Sequence, residues 1–507
     1  MYILTTTSSS PGHPTSTLHC SDLPTGPEEM PTKVLSRESE NDPISFALKP
    51  PLDETPADRE VRLRLEKEAK HVSDAIDEEL DRQRVAERRG PKPIKILLLG
   101  QSESGKSTTL KNFQLMYEPK AFRTERASWR AVIQLNVVRS VHLILDAMTR
   151  VQKNTSPTSS RDTLTDFPPL TPELLKLKLR LAPLLQVEEV LIRRLTPVGS
   201  GETEATQLVS YTERSKNYLK EVAVNSAAHW KDAFAKLVSS DTESFDSQHA
   251  IDFDDPNDPG IVLNACSEDM VKLWNDPLIQ QLLEKQNLRM EEVAGFFLDS
   301  LERVTSTHYI PTDDDILRAR LKTLGVTEHR FKISSGAGIS RDWRIFDVGG
   351  HRSQRAFWAP YFDDMDAIIF LAPISCFDQV LAEDPKVNRL EDSVKLWTTI
   401  VSNPLLKDTN VILFLNKIDI LQAKLASGIK LSDHVVSYGD RPNDFENTST
   451  YLRRKFAGIM KQSSPSSRVF YCHLTAVTDT KSTKGIISNV KDMIMRQNLA
   501  VTNLIVT

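Results

Sequence analysis

Cysteine is scarce in this chain: Cys20, Cys266, Cys376 and Cys472 are scattered over 507 positions without metal-type spacing. That scatter excludes a disulfide framework or a cysteine-zinc site and predicts reduced thiols. An excess of either charge is also missing, with 64 basic residues against 69 acidic ones and a net charge of −5. Such a balance gives no reason to expect nucleic acid as a partner. No run is long and apolar enough to suggest a bilayer span, and Met1-Tyr2-Ile3-Leu4 gives way to Thr and Ser too early for a secretory signal. These absences predict a soluble cytoplasmic chain, long enough for more than one domain.

Residues 1–56 are rich in Ser, Thr and Pro without apolar periodicity, the composition of a disordered tail. From Ala57 to Arg89 the chain becomes densely charged and helix-favouring, with Val61, Leu63, Leu65, Ala69, Val72, Ile76 and Leu80 interspersed. This predicts an exposed helix with a narrow apolar stripe, suited to a docking partner. Helical patterns follow at Trp129–Met148, Leu174–Leu195, Tyr211–Leu237, Met270–Glu284 and Met290–Val304, with a Pro/Ser/Thr stretch at Thr155–Thr171. Short apolar runs at Ile94–Leu99, Arg344–Val348, Ala367–Pro373, Asn410–Asn416 and Arg468–His473 read as strands. Beyond the helical block, strands and helices alternate, which argues for an α/β fold with a doubly wound, mostly parallel sheet.

Four motifs carry the chemistry. Gly100-Gln101-Ser102-Glu103-Ser104-Gly105-Lys106-Ser107-Thr108 fits G-x-x-x-x-G-K-[ST] between an apolar strand and a helical pattern. Its glycines let successive backbone N–H groups, from Glu103 to Thr108, curl toward phosphate oxygens at a helix N-terminus. Lys106 would reach the β- and γ-phosphates, and the Ser107 hydroxyl would complete a Mg²⁺ shell. Asp347-Val348-Gly349-Gly350 closes a strand as D-x-x-G. There Asp347 can hold Mg²⁺ through water, and Gly350 leaves its amide open to the γ-phosphate. Asn416-Lys417-Ile418-Asp419 ends another strand: Asp419 can accept both N–H groups of a guanine edge, Lys417 would lie along the base, and Asn416 would tie the loop to the P-loop. Thr475-Ala476-Val477-Thr478 ends the next, where a backbone amide can donate to guanine O6. In this order, at strand C-termini, the four converge on one crevice.

With Asp315-Ile316-Leu317-Arg318-Ala319-Arg320-Leu321-Lys322-Thr323-Leu324-Gly325, Leu381-Ala382-Glu383-Asp384, Val387-Asn388-Arg389 and Thr478-Asp479-Thr480, these motifs closely resemble heterotrimeric G-protein α subunits from about residue 57 to near the C-terminus. The resemblance implies a Ras-like P-loop GTPase domain with an inserted all-helical domain. It divides the chain into a tail (1–56), a βγ-docking helix (57–90), a first GTPase segment (91–122), the helical domain (123–312, with a flexible insertion at about 152–215) and a second GTPase segment (313–507). It implies GTP/GDP and Mg²⁺ as ligands. The partners it implies are a βγ dimer, a G-protein-coupled receptor, effectors and GTPase-activating regulators. Arg320 then looks like the arginine supplied in cis to the γ-phosphate, with Glu103 able to pair with it. Thr323 looks like the switch I Mg²⁺ ligand, and Leu317 and Arg318 in the same segment are expected at the nucleotide.

The chain departs from that family at the chemistry. His351 stands where the family has the glutamine that orients the attacking water, and Ser102 replaces a glycine beside it. The two changes suggest slow or altered hydrolysis, or a GTP-binding module that does not usefully hydrolyse. Val477 replaces an alanine next to the guanine, which would loosen base binding. Tyr2 removes the myristoylation signal, so a place at the inner face of the plasma membrane would depend on the heterotrimer; Cys20 lies far from the docking helix. The end, Asn503-Leu504-Ile505-Val506-Thr507, is apolar, as the family's receptor-contacting tail is, but its residues differ, so the resemblance implies receptor coupling without its identity. An ATP-using enzyme is disfavoured by Lys417 and Asp419. Asp419→Asn is expected to shift preference from GTP to xanthosine triphosphate in competition binding; an unshifted preference would mean the base is read elsewhere.

Overall fold

The computed structural model describes residues 55–89, 92–154, 169–195, 223–225, 253, 255–286, 288–293, 295–334, 340–381 and 383–501. Most of the tail, Cys20, the last six residues and nearly all of Tyr211–Leu237 lie outside them. Helix α1, Pro56–Arg89, forms a unit of its own. The Thr55 hydroxyl accepts from the Asp58 amide (3.2 Å), and Arg62 pairs with Glu66 one turn on at 2.7 Å. Val61, Leu65, Val72, Ile76 and Leu80 recur at helical spacing and are 44 to 57% exposed within this unit.

In the second unit, β1 (Ile94–Leu99) passes through the P-loop into α2 (Lys106–Tyr117). A helical block follows: α3 (Arg126–Asn154), α4 (Pro172–Arg180), α5 (Leu184–Leu195), α6 (Pro259–Ala265), α7 (Ser267–Asn275) and α8 (Pro277–Lys285). By length and apolarity α3 could pass for a membrane span, contrary to the sequence reading, but most of it is buried in this block. Several expected boundaries are corrected by proline and glycine. The pattern at Leu174–Leu195 breaks at a turn before Leu184, where Pro183 stands. Met270–Glu284 divides at Pro277, where Asp276 caps α8 through the amides of Leu278 (2.8 Å) and Ile279 (3.3 Å). Met290–Val304 is not one helix: 3₁₀ turns at Met290–Glu292 and Leu298–Ser300 flank Gly295, whose φ of +82° no continuous helix accommodates. Within the stretch at 152–215 expected to be flexible, α4 and α5 bury Leu174, Leu184, Val187, Leu191 and Leu195, so this part is core.

The chain returns at α9 (Asp313–Arg318), capped reciprocally by Thr312 and Asp315. Three residues expected to be helical instead form strand β2 (Ala223–Asn225), paired in parallel with β3 (Lys322–Leu324). The main sheet contains β1 with β4 (Val326–Ser334), β5 (Ser340–Val348), β6 (Ala367–Pro373), β7 (Asn410–Asn416) and β8 (Tyr471–Thr475), in the order β4-β5-β1-β6-β7-β8. Only β4 runs antiparallel within it. β8 starts later than expected because Arg468 anchors the preceding loop, donating to Leu406 O (2.9 Å) and Ser464 Oγ (2.8 Å).

Both faces of the sheet are covered. On one, Trp397 of α10 (Arg389–Ser402) packs against Phe370 and against Phe456 of a later helix, Phe445–Ser463. On the other, Phe113 of α2 meets Phe331 and Trp343, with Ile487 and Ile494 of the helix Thr480–Val501. Trp397 is fully buried, and its indole N–H donates to Phe456 O at 2.9 Å. Trp397→Ala is expected to destabilise the chain by about 3–5 kcal/mol in denaturant titration; a loss below about 1 kcal/mol would show that this layer repacks.

Candidate functional site

The P-loop closes because three of its residues take positive-φ backbone conformations, Gly100 (φ 143°), Glu103 (φ 59°) and Gly105 (φ 102°). A Cβ at Gly105 would lie 2.4 Å from Asn416 Nδ2 and 2.9 Å from Val477 Cγ2, so only glycine lets the loop approach the neighbouring strand ends. Lys106 reaches back over the loop and donates to Gly100 O and Gln101 O, each at 2.9 Å. Burial pulls its ammonium down to about 8 against the opposing pull of Asp347. An anion placed among these amides would restore that charge. Gly350 lies where a Cβ would be 2.4 Å from Lys106 Nζ, which places the D-x-x-G turn on the P-loop.

Ser107 Oγ donates to Asp347 Oδ2 at 2.7 Å. The hydroxyl at the start of α2 and the carboxylate at the end of β5 are hard oxygen donors. Among the described residues no group of three or more His, Cys, Asp and Glu gathers as a metal cluster. That set fits magnesium, which takes one or two carboxylates and fills its shell with water and phosphate oxygens. Thr323 lies in β3, and its side chain is outside the described residues.

Asn416, buried at the end of β7, joins the two halves of the crevice. Its Nδ2 donates to Ser104 O (2.8 Å), while Oδ1 accepts from Thr475 Oγ1 (3.0 Å) and from the Val477 amide (3.2 Å). The amide expected for guanine O6 is therefore bonded to Asn416 in this structure. Lys417 takes a left-handed conformation (φ 64°), and burial pushes its ammonium down although Glu103 opposes the shift. Asp419 is exposed on the first turn of α11 (Ile418–Ala426).

Glu103 links the P-loop to two arginines. It pairs with Arg320, as expected, and its other oxygen accepts from Arg389 Nη1 at 3.0 Å. Arg389 Nη2 also donates to Ser102 O at 2.9 Å. Burial raises the Glu103 pKa, but Arg320, Arg389 and Lys417 together hold the carboxyl well below the usual range. Leu317 is buried and its carbonyl accepts from Thr108 Oγ1 (3.3 Å), whereas Arg318 is exposed at the end of α9.

His351 begins the 3₁₀ helix Arg352–Tyr361 as its N-cap. Its Nδ1 lies 2.8 Å from Ser353 Oγ and accepts from the Ser353 amide at 3.4 Å. A neutral ring in that role carries its proton on Nε2, which faces Glu383 Oε1 at 3.9 Å. That carboxylate oxygen is buried without a hydrogen-bond partner. The sequence reading missed roles for Arg389, Glu383 and Gln101. Gln101 is buried and ties the P-loop to α10 through Arg389 O (3.1 Å) and Ser393 Oγ (2.6 Å). None of these has a local signal, since each of these contacts spans more than thirty residues of chain.

A family model described as G-protein alpha subunit matches residues 70–494. The chain is 32% identical to the guanine nucleotide-binding protein alpha-4 subunit of Mycosarcoma maydis, over 93% of this chain and 97% of that protein. It is 29% identical to the guanine nucleotide-binding protein subunit alpha of Candida albicans and to the alpha-1 subunit of Saccharomyces cerevisiae, each over 85% of this chain and 94% of the relative.

The depressed Glu103 pKa stabilises the fold fully above its unfolded value of about 4.3, and this contribution is lost as pH falls through the folded value. Glu103→Gln is expected to lower stability at neutral pH and to flatten the acid limb of the stability–pH curve below about pH 4.5. An acid limb identical to wild type would show that the arginines do not stabilise this carboxylate.

Proposed function

The chain belongs to the G-protein alpha subunit family, and from that premise we propose a magnesium-dependent GTP switch whose hydrolysis is slowed by His351. As a member of this family it is a guanine-nucleotide-binding signalling subunit and a GTPase. The observation that carries the reading is the Asn416 tie, which holds Ser104 of the P-loop and the Thr475–Val477 loop on one crevice. The phosphate and base ends of a nucleotide thereby share one rigid frame.

In hydrolysis a water oxygen bonds to the γ-phosphorus, the bond to the bridging oxygen breaks with its electron pair leaving on GDP, and the water's proton ends on the released phosphate. Lys106 and the P-loop amides bind the phosphates. Ser107 and Asp347, with Thr323, would hold magnesium, which supplies positive charge at the β- and γ-phosphate oxygens when bound. Arg320 turns from Glu103 toward the charge developing on the γ-phosphate, a contribution of about 10³–10⁵ in rate in such enzymes. Arg389 keeps Glu103 paired when Arg320 leaves, so this partly buried carboxylate is not stranded. His351 is the weak element: its acceptor nitrogen is engaged at the helix cap and its other nitrogen carries a proton. The ring must leave the cap to accept from a water. That same observation favours the second reading, a chain that holds GTP and signals with little turnover.

The exposed stripe of α1 supports docking of a βγ dimer, and the family supports a receptor, effectors and GTPase-activating regulators as further partners. Membrane association at the inner face of the plasma membrane would then come through the heterotrimer.

His351→Gln is expected to raise single-turnover hydrolysis of pre-bound GTP by about tenfold or more. Arg320→Ala should lower it by about 10³-fold with GTP affinity near wild type. An unchanged rate in the first variant would clear His351 as the cause of slow turnover, and in the second would remove Arg320 from the reaction.

A further inference from the structure

We propose that Asn136, on α3 of the helical block, is a positioning residue for hydrolysis that fixes the backbone of Arg320. The inference rests on the reading of Arg320 as the arginine that meets the γ-phosphate. Asn136 Oδ1 accepts from the Arg320 amide at 2.8 Å, and Asn136 Nδ2 donates to Arg320 O at 3.0 Å. One carboxamide thus satisfies both polar groups of one residue's backbone, as a neighbouring strand would.

The residues before Arg320 are held from the other side. Lys111 Nζ donates to Ile316 O (2.8 Å) and Ala319 O (2.9 Å), and Thr108 Oγ1 donates to Leu317 O (3.3 Å). Both Lys111 and Thr108 lie on α2, directly behind the P-loop. Up to Ala319 the chain is therefore set by the phosphate-binding element, and at Arg320 by the helical block. Gly295 closes the third side: a Cβ there would lie 2.6 Å from Asn136 Oδ1 and 3.1 Å from Arg320 Cβ. Its φ of +82° is one that other residues adopt with strain.

The chemistry requires asparagine. Aspartate could accept from the amide but would set a carboxylate against the Arg320 carbonyl, and alanine would leave both groups without this partner. Arg320 must swing its guanidinium from Glu103 to the nucleotide about a fixed Cα. A misplacement of about 1 Å at such a group can cost about 10²-fold in rate.

The test is single-turnover hydrolysis of GTP pre-bound to the full chain with Mg²⁺, in wild type, Asn136→Ala, Asn136→Asp, Arg320→Ala and the Asn136→Ala/Arg320→Ala double variant. Asn136→Ala should be slower by about 10- to 100-fold with GTP affinity near wild type, and Asn136→Asp should fall between it and wild type. In the Arg320→Ala background, Asn136→Ala should cause no further slowing, because its effect passes through Arg320. A wild-type rate in both Asn136 variants beside a slow Arg320→Ala overturns this inference alone. The same fractional slowing with and without Arg320 also overturns it, making Asn136 a general structural residue. A wild-type rate in Arg320→Ala overturns the reading of Arg320 and this inference with it.

Discussion

The arrangement of the site depends on one partly buried carboxylate. Glu103 occupies a left-handed position in the P-loop and pairs with Arg320 and Arg389. It joins three segments far apart in sequence: the phosphate loop after β1, the linker returning from the helical block, and the start of α10. Removing Glu103 would leave both guanidinium groups without their shared carboxylate, so the three segments stay together. The same pairing holds Arg320 beside the phosphate loop, and a second arginine lets it leave without stranding the carboxylate.

Around this charge cluster the remaining constraints are mostly backbone hydrogen bonds made by side chains. Asn416 fixes the P-loop to the base loop, Gln101 fixes it to α10, and Lys111 holds the end of α9. These ties span elements whose apolar faces are already used in packing the sheet. Polar side chains are thus what sets the relative position of the loops, while Trp397, Phe113 and their neighbours set the position of the strands beneath them.

The strands that were easiest to read are buried on both faces. The bounds of β1, β6 and β7 coincide with apolar runs, as expected for parallel strands covered by helices. β4 was not read: Glu328, Arg330 and Lys332 are exposed and alternate with buried Phe331 and Ile333, so this outer strand resembles a charged linker until its register with β5 is known. The phosphate loop, Asp347 and Asn416 were legible because fixed motif spacings encode them, and the pairing of Glu103 with Arg320 because the family resemblance implies it. Arg389, Gln101 and Asn136 were not, because nothing local tells which way a polar residue at a helix end or on an amphipathic helix will face. The boundaries inside Met270–Val304 were set by Pro277 and Gly295, which outweighed an otherwise helical pattern.

His351 links the fold to the predicted rate. Its imidazole caps the 3₁₀ helix Arg352–Tyr361, a local interaction that competes with any role toward water. The most direct measurement is the fate of GTP bound to the wild-type full chain with Mg²⁺, challenged with excess ATP and followed by chromatography of the protein-bound nucleotide. ATP should fail to displace the guanine nucleotide, and bound GTP should convert slowly but completely to GDP. Displacement by ATP, or GTP that persists unconverted, would contradict this reading.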